Sequence, residues 1–275
     1  MMKIKDLIDE GNKYLHKDHV KIIIGEVLGY NPLEIYNYLE ENVEEEKEEK
    51  IKKIFFALKE KKPIQYALGK TNFYGYEYKV NENVLIPRFE TEELVENTIY
   101  YLDKYFNKQA KIIDLGCGSG AIGITIKKER NLCDVTLLDI SKKALEVAKE
   151  NMEHLQTLVT IREGNMLENI EEKYDVIISN PPYISIDEPI EDIVKDNEPH
   201  LALYAKEDGL YFYKQILKNV PSHVNSKYMI AFEIGYKQKE KILELIDKYL
   251  EDVKVVVKKD LQQRDRMIFI FKNCE

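Results

Sequence analysis

The sequence predicts an α/β fold: a mainly parallel sheet covered by helices on both faces, preceded by a smaller helical segment. Three observations carry this. From about residue 95, short apolar β-branched runs alternate with amphipathic stretches, the pattern of parallel strands joined by helical crossovers. Residues 1 to about 62 instead repeat their apolar positions at helical spacing. Between the two, TNFYGYEYKV (Thr71 to Val80) alternates aromatic residues around Gly75, as a β-hairpin does.

In the front segment, Ile4, Leu7 and Ile8 mark a first helix. Val20, Ile23, Ile24, Val27 and Leu28 mark a second, with Gly29 placed to end it. Pro32 is suited to the first turn of a third. The charge run EEEKEEKIKK (Glu44 to Lys53) reads as a solvated helix face with Glu–Lys pairs four apart. Ile51, Ile54, Phe55 and Leu58 form its apolar stripe, and Pro63 breaks the pattern. Beyond the hairpin, the expected strands are 111–115, 134–139, 158–162, 174–179 and 228–234, with helices over 141–153 and 237–250. Two late strands, 253–257 and 267–271, are joined by a stretch too short for a crossover helix. The last strand is therefore expected to be antiparallel to its neighbour.

Bulk properties narrow the function classes. A net charge of −9 with no dominant basic block argues against a protein held by nucleic-acid phosphates. Cys117, Cys133 and Cys274 are scattered, without metal-ligand or disulfide-framework spacing, which suits a reducing cytoplasm. The N-terminus is charged too early for a secretory signal, and no apolar run is long enough to span a bilayer.

Two stretches carry chemistry. The first is IIDLGCGSGAIGI (Ile112 to Ile124), where a strand runs through a glycine loop into a helix. Gly116, Gly118 and Gly120 let the backbone turn tightly and approach a ligand, with Cys117 and Ser119 between them. Asp139 ends the next strand, where an acid accepts both hydroxyls of a ribose. The loop alone does not name the cofactor. Gly118, Gly120 and Gly123 also satisfy the dinucleotide pattern, which keeps a hydride-transferring enzyme open. Asp114, just before the glycines, suits the ammonium and sulfonium of S-adenosylmethionine better than a pyrophosphate.

The second stretch is SNPPYI (Ser179 to Ile184), which halts a buried strand with two prolines that cannot donate to a ladder. In an open α/β sheet, ligands bind beyond the carboxyl ends of the strands, which puts Asn180 beside the glycine loop. An amide or exocyclic amine is a poor nucleophile because its lone pair is delocalised. Two acceptors holding both N–H groups, the Asn180 side-chain oxygen and the Pro181 carbonyl, can orient that nitrogen for methyl transfer. Pro182 restricts the loop, and Tyr183 offers a flat wall for a planar amide or base.

NPPY together with DLGCGSG resembles the amino-methylating S-adenosylmethionine methyltransferases, which act on DNA, RNA or protein. KKPIQYALGKTNFYGYEYKV (Lys61 to Val80), VLIPRFETEELVE (Val84 to Glu96), DNEPHLALYAKEDGL (Asp196 to Leu210), FEIGY (Phe232 to Tyr236) and KDLQQRDR (Lys259 to Arg266) narrow the likeness. They resemble the PrmC/HemK family of release-factor glutamine methyltransferases. The resemblance covers nearly the whole chain, the first 60 residues only in helical character. It implies a Rossmann-like class I methyltransferase domain with a seven-stranded sheet (residues 87–275), a hairpin linker (69–86) and an N-terminal helical substrate-recognition domain (1–68). It also implies S-adenosyl-L-methionine as cofactor and release factors as protein substrates, with no direct nucleic-acid or membrane partner. Gly116 to Gly120 would meet the methionine part and Asp139 the ribose. Asn165 and Met166 would lie near the adenine, and Asn180 to Tyr183 would receive the glutamine. The chain departs from the family pattern at Phe89, Asn165 and Gln263 and in LYAKEDGL. Arg88, Glu90 and Thr91 could line the pocket mouth or cap a helix. Glu233 could serve the site or strand packing. A nucleic-acid amine methyltransferase and a non-catalytic cofactor-binding module are the competing readings.

Overall fold

Residues 1–275 are described by a computed structural model, in which the chain divides into two units: Met1–Lys70 with Asp192–Asn197, and Thr71–Glu191 with Glu198–Glu275. The first is built from α1 (Ile4–Gly11), α2 (Lys17–Leu28), a 3-10 turn (Ile35–Tyr38), α3 (Glu45–Lys59) and α4 (Ile64–Leu68). Its core is the apolar set at helical spacing, with Ile4, Leu7, Val20, Ile23, Ile24, Ile51 and Phe55 all buried. Gly29 ends α2 in the left-handed conformation, its N–H donating to the Gly25 carbonyl. The charge run faces solvent with Lys52 on Glu48 at 2.8 Å, four residues apart.

Pro32 does not open a helix. The Asn31 side chain accepts from the Leu33 N–H at 3.0 Å, and the Glu34 N–H donates to the Asn31 carbonyl. This local turn competes with helical bonding and leaves Leu33 exposed, so only the short 3-10 turn that buries Ile35 follows.

The second unit opens with the hairpin, β1 (Lys70–Phe73) and β2 (Tyr76–Lys79). Its two-residue turn, Tyr74 and Gly75, has positive φ at both positions, the twist that matches paired strands. Then come α5 (Phe89–Tyr105), β3 (Lys111–Leu115), α6 (Ala121–Glu129), β4 (Asp134–Asp139), α7 (Lys142–His154) and β5 (Thr160–Glu163). They are followed by β6 (Tyr174–Ser179), β7 (Ile184–Ser185), α8 (Asp192–Asn197, which belongs to the first unit), α9 (His200–Leu203) and β8 (Tyr204–Ala205). The chain closes with α10 (Tyr211–His223), β9 (Val224–Glu233), α11 (Lys239–Tyr249), β10 (Lys254–Lys259) and β11 (Asp265–Lys272).

Seven strands form one sheet in the order β10-β11-β9-β6-β3-β4-β5. All pairs are parallel except those of β11, which runs antiparallel to both β9 and β10. This is the class I methyltransferase sheet. Side chains alternate between two cores. Ile112, Val176, Ile178, Met229, Ala231 and Phe269 face α5, α6 and α7, while Ile113, Ile177, Ile230, Phe232 and Ile268 face α10 and α11. β5 starts two residues later than expected. Leu158 is exposed, and the first burying residue is Val159. β7 and β8 form a separate two-stranded parallel pair. No helix is long and apolar enough to cross a membrane.

One buried side chain ties the hairpin to the sheet. Asn151 on α7 accepts from the Lys79 N–H at 2.7 Å and donates to the Lys79 carbonyl at 3.0 Å and the Ser119 carbonyl at 2.9 Å. All three partners are backbone groups of β2 and the glycine loop. Replacing Asn151 with Ala removes the partner of all three, including the buried Ser119 carbonyl. The expected loss is on the order of 3 kcal/mol in urea unfolding, read at unchanged slope.

Candidate active site

The strand order reverses between β3 and β6. The chain steps outward from β3 through β4 to β5, then crosses back to place β6 on the other side of β3. Crossovers leaving neighbouring strands in opposite directions open a crevice at their carboxyl ends. The register sets what meets there. Asp114 pairs with Leu137 on one side and Ile178 on the other, so the glycine loop after β3, Asp139 at the end of β4 and Asn180 after β6 emerge level. They border a cavity of about 320 Å³, mostly apolar, within the second unit.

Gly116, Gly118 and Gly120 have φ of 71°, 54° and 78°, a conformation that side chains resist. The Gly116 and Cys117 N–H groups both donate to the Leu138 carbonyl, which holds the loop against β4. Asp139 Oδ2 accepts from the Gly118 N–H at 2.9 Å and Oδ1 from the Ser141 N–H at 2.8 Å. A carboxylate has roughly four acceptor positions, so the fixed Asp139 keeps capacity for a vicinal diol. Burial pushes its carboxyl up, and the backbone N–H groups of Ser141, Gly118 and Ile140 oppose that. Asn165 and Met166 also border the cavity. The Asn165 Nδ2 donates to Glu168, which leaves its Oδ1 for an amine such as that of adenine.

The electrostatics discriminate between ligands. The cavity wall carries one anion, Asp139, and one cation, Arg88. Arg88 is already paired with Glu198, whose other oxygen accepts from the Ile86 N–H at 3.2 Å. No unpaired cation lines the wall to neutralise a pyrophosphate. A wall with an unpaired Asp139 and no unpaired cation suits a nucleoside whose charge is a sulfonium and an amino-acid zwitterion better than a pyrophosphate. Cys117 lines the cavity, but burial raises its thiol well above the usual range, so it is no nucleophile.

Asn180 is half-buried on the cavity wall. Its Nδ2 donates to Thr91 Oγ1 at 3.2 Å, and Thr91 Oγ1 donates to Glu233 Oε2 at 2.7 Å. Thr91 is in the first turn of α5, and Glu233 ends β9. The ladder explains the meeting, since Ser179 pairs with Phe232 and the next residues along are Asn180 and Glu233. Thr91 borders the cavity, as does Arg88, whereas Glu90 does not; Glu233 is fully enclosed rather than merely packing the strand.

Besides Glu90 and Glu233, four residues singled out from the sequence are not on the cavity wall: Asp114, Gly120, Pro181 and Tyr183. Asp114 is fully buried beneath the loop, its Oδ2 accepting from the Gly123 N–H at 3.0 Å at the start of α6. Its Oδ1 has no hydrogen-bond partner. Gly120 turns inward, and a Cβ there would lie 2.8 Å from Ile124. Pro181 is buried, and Tyr183 packs against the Ile230 and Phe232 core. The Tyr183 carbonyl is held by Gln238 Nε2 at 2.9 Å, and a Cβ on Gly209 would strike that carbonyl oxygen at 2.0 Å. Asn151, Glu198 and Gln238 carry this scaffolding. Glu198 lies in the DNEPHLALYAKEDGL stretch, but its role, like those of Asn151 and Gln238, is not marked in the sequence, since each acts on groups distant in the chain. Pro182, Cys117 and Ser119 do reach the wall.

Known proteins give this geometry its family. The sequence profile described as Methyltransferase small domain matches residues 92–202. A release factor glutamine methyltransferase of Bacillus subtilis is 41% identical over 86% of this chain and 85% of its own length. Another, of Clostridium botulinum, is 38% identical over 97% of this chain and 98% of its own. A third, of Streptococcus pneumoniae, is 39% identical over 86% and 84%. The chain belongs to the release factor glutamine methyltransferase family.

Solved structures share the fold of this family member at much lower identity. A methyltransferase of Pyrococcus furiosus superimposes with a TM-score of 0.55 at 19% identity, covering 73% of this chain and 90% of that one. A Thermus thermophilus 16S rRNA methyltransferase in complex with AdoMet and guanosine gives 0.52 at 14% identity, covering 74% and 50%. Membership of the release factor glutamine methyltransferase family sets aside the hydride-transferring enzyme left open by the glycine pattern.

Asp114 supplies a pH test of this site in the free methyltransferase. Burial pushes its carboxyl up to about 7, and the neighbouring Asp139 charge adds to this against the Gly123 N–H. The unfolded chain releases that proton near pH 4, so between about 4 and 7 the folded state binds more protons and stability falls as pH rises. Asp114→Asn keeps an acceptor for Gly123 but cannot ionise. Its stability relative to wild type should rise across that window, by up to about 1.4 kcal/mol per pH unit, in urea unfolding at a series of pH values. A difference that stays constant with pH would contradict this.

Proposed function

We propose that this enzyme transfers the methyl group of S-adenosyl-L-methionine to the side-chain amide nitrogen of the glutamine in the Gly-Gly-Gln segment of peptide chain release factors, supporting translation termination in the cytoplasm. The observation that carries the reading is Asn180. Its amide NH₂ is engaged by Thr91, so the end left for a ligand is the acceptor oxygen. An acceptor at that position suits a substrate that brings N–H groups. Membership of the family supports glutamine in a release factor as that substrate.

When bound, the cofactor supplies a methyl carbon whose bond to the cationic sulfur breaks with the electron pair passing to sulfur. The chain's own residues do the rest. Gly116 to Ser119 would border the methionine part, Asp139 would hold the ribose, and Asn165 and Met166 would flank the adenine. Asn180 Oδ1, on the cavity wall, accepts one amide N–H group and so aims the nitrogen lone pair along the line of displacement, while the buried Pro181 shapes the turn that presents it. Pro182 fixes the loop, and the Tyr183 ring stiffens it from the core side. The nitrogen forms its new bond to carbon and then sheds one proton to solvent. That proton is acidic once the methyl has arrived, so no strong base is needed.

Recognition of the whole protein substrate is assigned to residues 1–68. One glutamine side chain offers too little contact to distinguish proteins, and interfaces of standard size bury about 800 Å² per partner. The helical front, with its acidic Glu44–Glu49 run, is surface that the cavity does not use. Residues 69–86 act as the linker to the methyltransferase domain, 87–275.

Labelled methyl donor offered with intact release factors, free glutamine, DNA and RNA should mark the release factors alone. Label in nucleic acid would assign the same site to amine methylation of bases. Asn180→Ala should abolish turnover yet keep cofactor affinity within about threefold by calorimetry, because the lost contact acts in the chemical step. Asp139→Ala should weaken cofactor binding by about 1.5–3 kcal/mol, the usual worth of a hydrogen bond to a charged group. A chain beginning at Thr71 should bind the cofactor but lose kcat/KM on whole release factors, and full activity in that chain would remove the front domain from recognition.

A further inference from the structure

The carboxamide of an asparagine has two ends of similar size and opposite chemistry. One accepts and the other donates, and something must decide which faces the substrate. In this site the decision is made by Thr91 on the cavity wall and by Glu233 behind it. Thr91 has one hydroxyl proton, and it is directed to Glu233 Oε2 at 2.7 Å. The lone pairs of Thr91 Oγ1 are therefore what Asn180 meets, and only its NH₂ end can bond to them, at 3.2 Å.

We propose that Glu233 and Thr91 are positioning residues for the transfer reaction: a carboxylate–hydroxyl relay that locks the Asn180 carboxamide with its oxygen toward the substrate nitrogen. The inference rests on the function proposed above, and neither Glu233 nor the relay is needed to bind the cofactor. A proton on Glu233 Oε2 would reverse the relay. Thr91 would accept from Glu233 and donate toward Asn180, the carboxamide would turn over, and its NH₂ would face the N–H groups it should receive.

The surroundings make Glu233 a weighted element rather than a passive one. It is fully enclosed, and burial pushes its carboxyl up to about 7, opposed by Thr91, Arg266 and Asn180. The groups facing it come from every side. Glu90 lies on α5 and Arg266 on β11, while Tyr183 lies in the loop after β6. Tyr213 of α10 donates its hydroxyl to the Glu233 backbone carbonyl at 2.7 Å. Arg266 is itself fixed by Asp260 at 3.2 Å and by the Ile234 carbonyl at 3.1 Å, so its charge stays beside Glu233.

The test compares wild type with Thr91→Val, Thr91→Ser and Glu233→Gln. Turnover and KM are measured on an intact release factor from pH 6 to 9, with cofactor affinity by calorimetry. Thr91→Val should lower kcat by about 10- to 100-fold, the scale of a misplaced reacting group, with cofactor affinity and release-factor KM within about threefold. Thr91→Ser keeps the hydroxyl and should return to within about threefold of wild type. Wild-type kcat should fall as pH drops below about 7. Glu233→Gln, whose amide oxygen accepts from Thr91 at any pH, should lose that acid limb. In the free protein, the Asn180 side-chain NH₂ resonances should titrate in wild type and stay constant in Glu233→Gln. Thr91→Val as fast as wild type, Thr91→Ser as slow as Thr91→Val, or an acid limb retained in Glu233→Gln would each overturn the relay. A wild-type enzyme that labels no release factor would instead overturn the proposed function.

Discussion

The pairing of β3 with β6 is the constraint on which the site depends. Neither strand carries a ligand contact of its own; Ile112, Ile113 and their partners Val176 and Ile177 are core residues. Their register decides where the chain leaves the sheet on each side. A parallel ladder held by two apolar faces resists slipping, because a shift of one residue would turn Ile113 and Ile177 toward the wrong core. The glycine loop and Asn180 therefore inherit their alignment from side chains that never meet a substrate. β9 extends the same logic by one strand and brings Glu233 beside Asn180.

The site gathers carboxyl groups where charge is costly. Asp114, Asp139 and Glu233 are all at least nine-tenths buried, and burial raises all three. Two of them accept from backbone N–H groups, and the third accepts from a threonine hydroxyl. The arrangement destabilises the empty fold and favours a cationic guest. It also places acidity at different depths. Asp139 is on the wall and Asp114 is beneath the loop, while Glu233 works through Thr91. Residues of one chemical type thus divide into ligand contact, loop support and orientation according to what stands between each and the cavity.

Much of this was legible in the sequence because the signals are local. Short apolar β-branched runs marked the sheet strands, alternation marked the hairpin, and glycines at fixed spacing marked the loop. NPPY after an apolar run marked the wall opposite. Those patterns placed Asp139 and Asn180 at strand ends without any knowledge of pairing. What escaped was what depends on neighbours across the sheet. Asp114 looked like a ligand because it adjoins the glycines, yet alternation along β3 turns it under the loop. Tyr183 looked like a stacking surface, but it packs on the core between the sheet and α10 and α11, and its carbonyl is taken by Gln238. Pro32 carried a helix signal that the Asn31 side chain overrode. The role of Thr91 could be read only as a helix start or a pocket mouth until Glu233 arrived from 142 residues further along the chain.

The hairpin has a bearing on where this enzyme can be cut. Lys79 closes β2 and gives both of its backbone groups to Asn151, whose remaining bond goes to the glycine loop. The strand named a linker is thus one wall of the mould in which the cofactor loop sets. A fragment begun at residue 87, or at residue 92 where the family profile starts, keeps the glycine loop, Asp139 and Asn180 but lacks that wall and the cavity-lining Asn83, Val84 and Leu85. A catalytic piece that keeps this support for the cofactor loop has to include β2, ahead of residue 87.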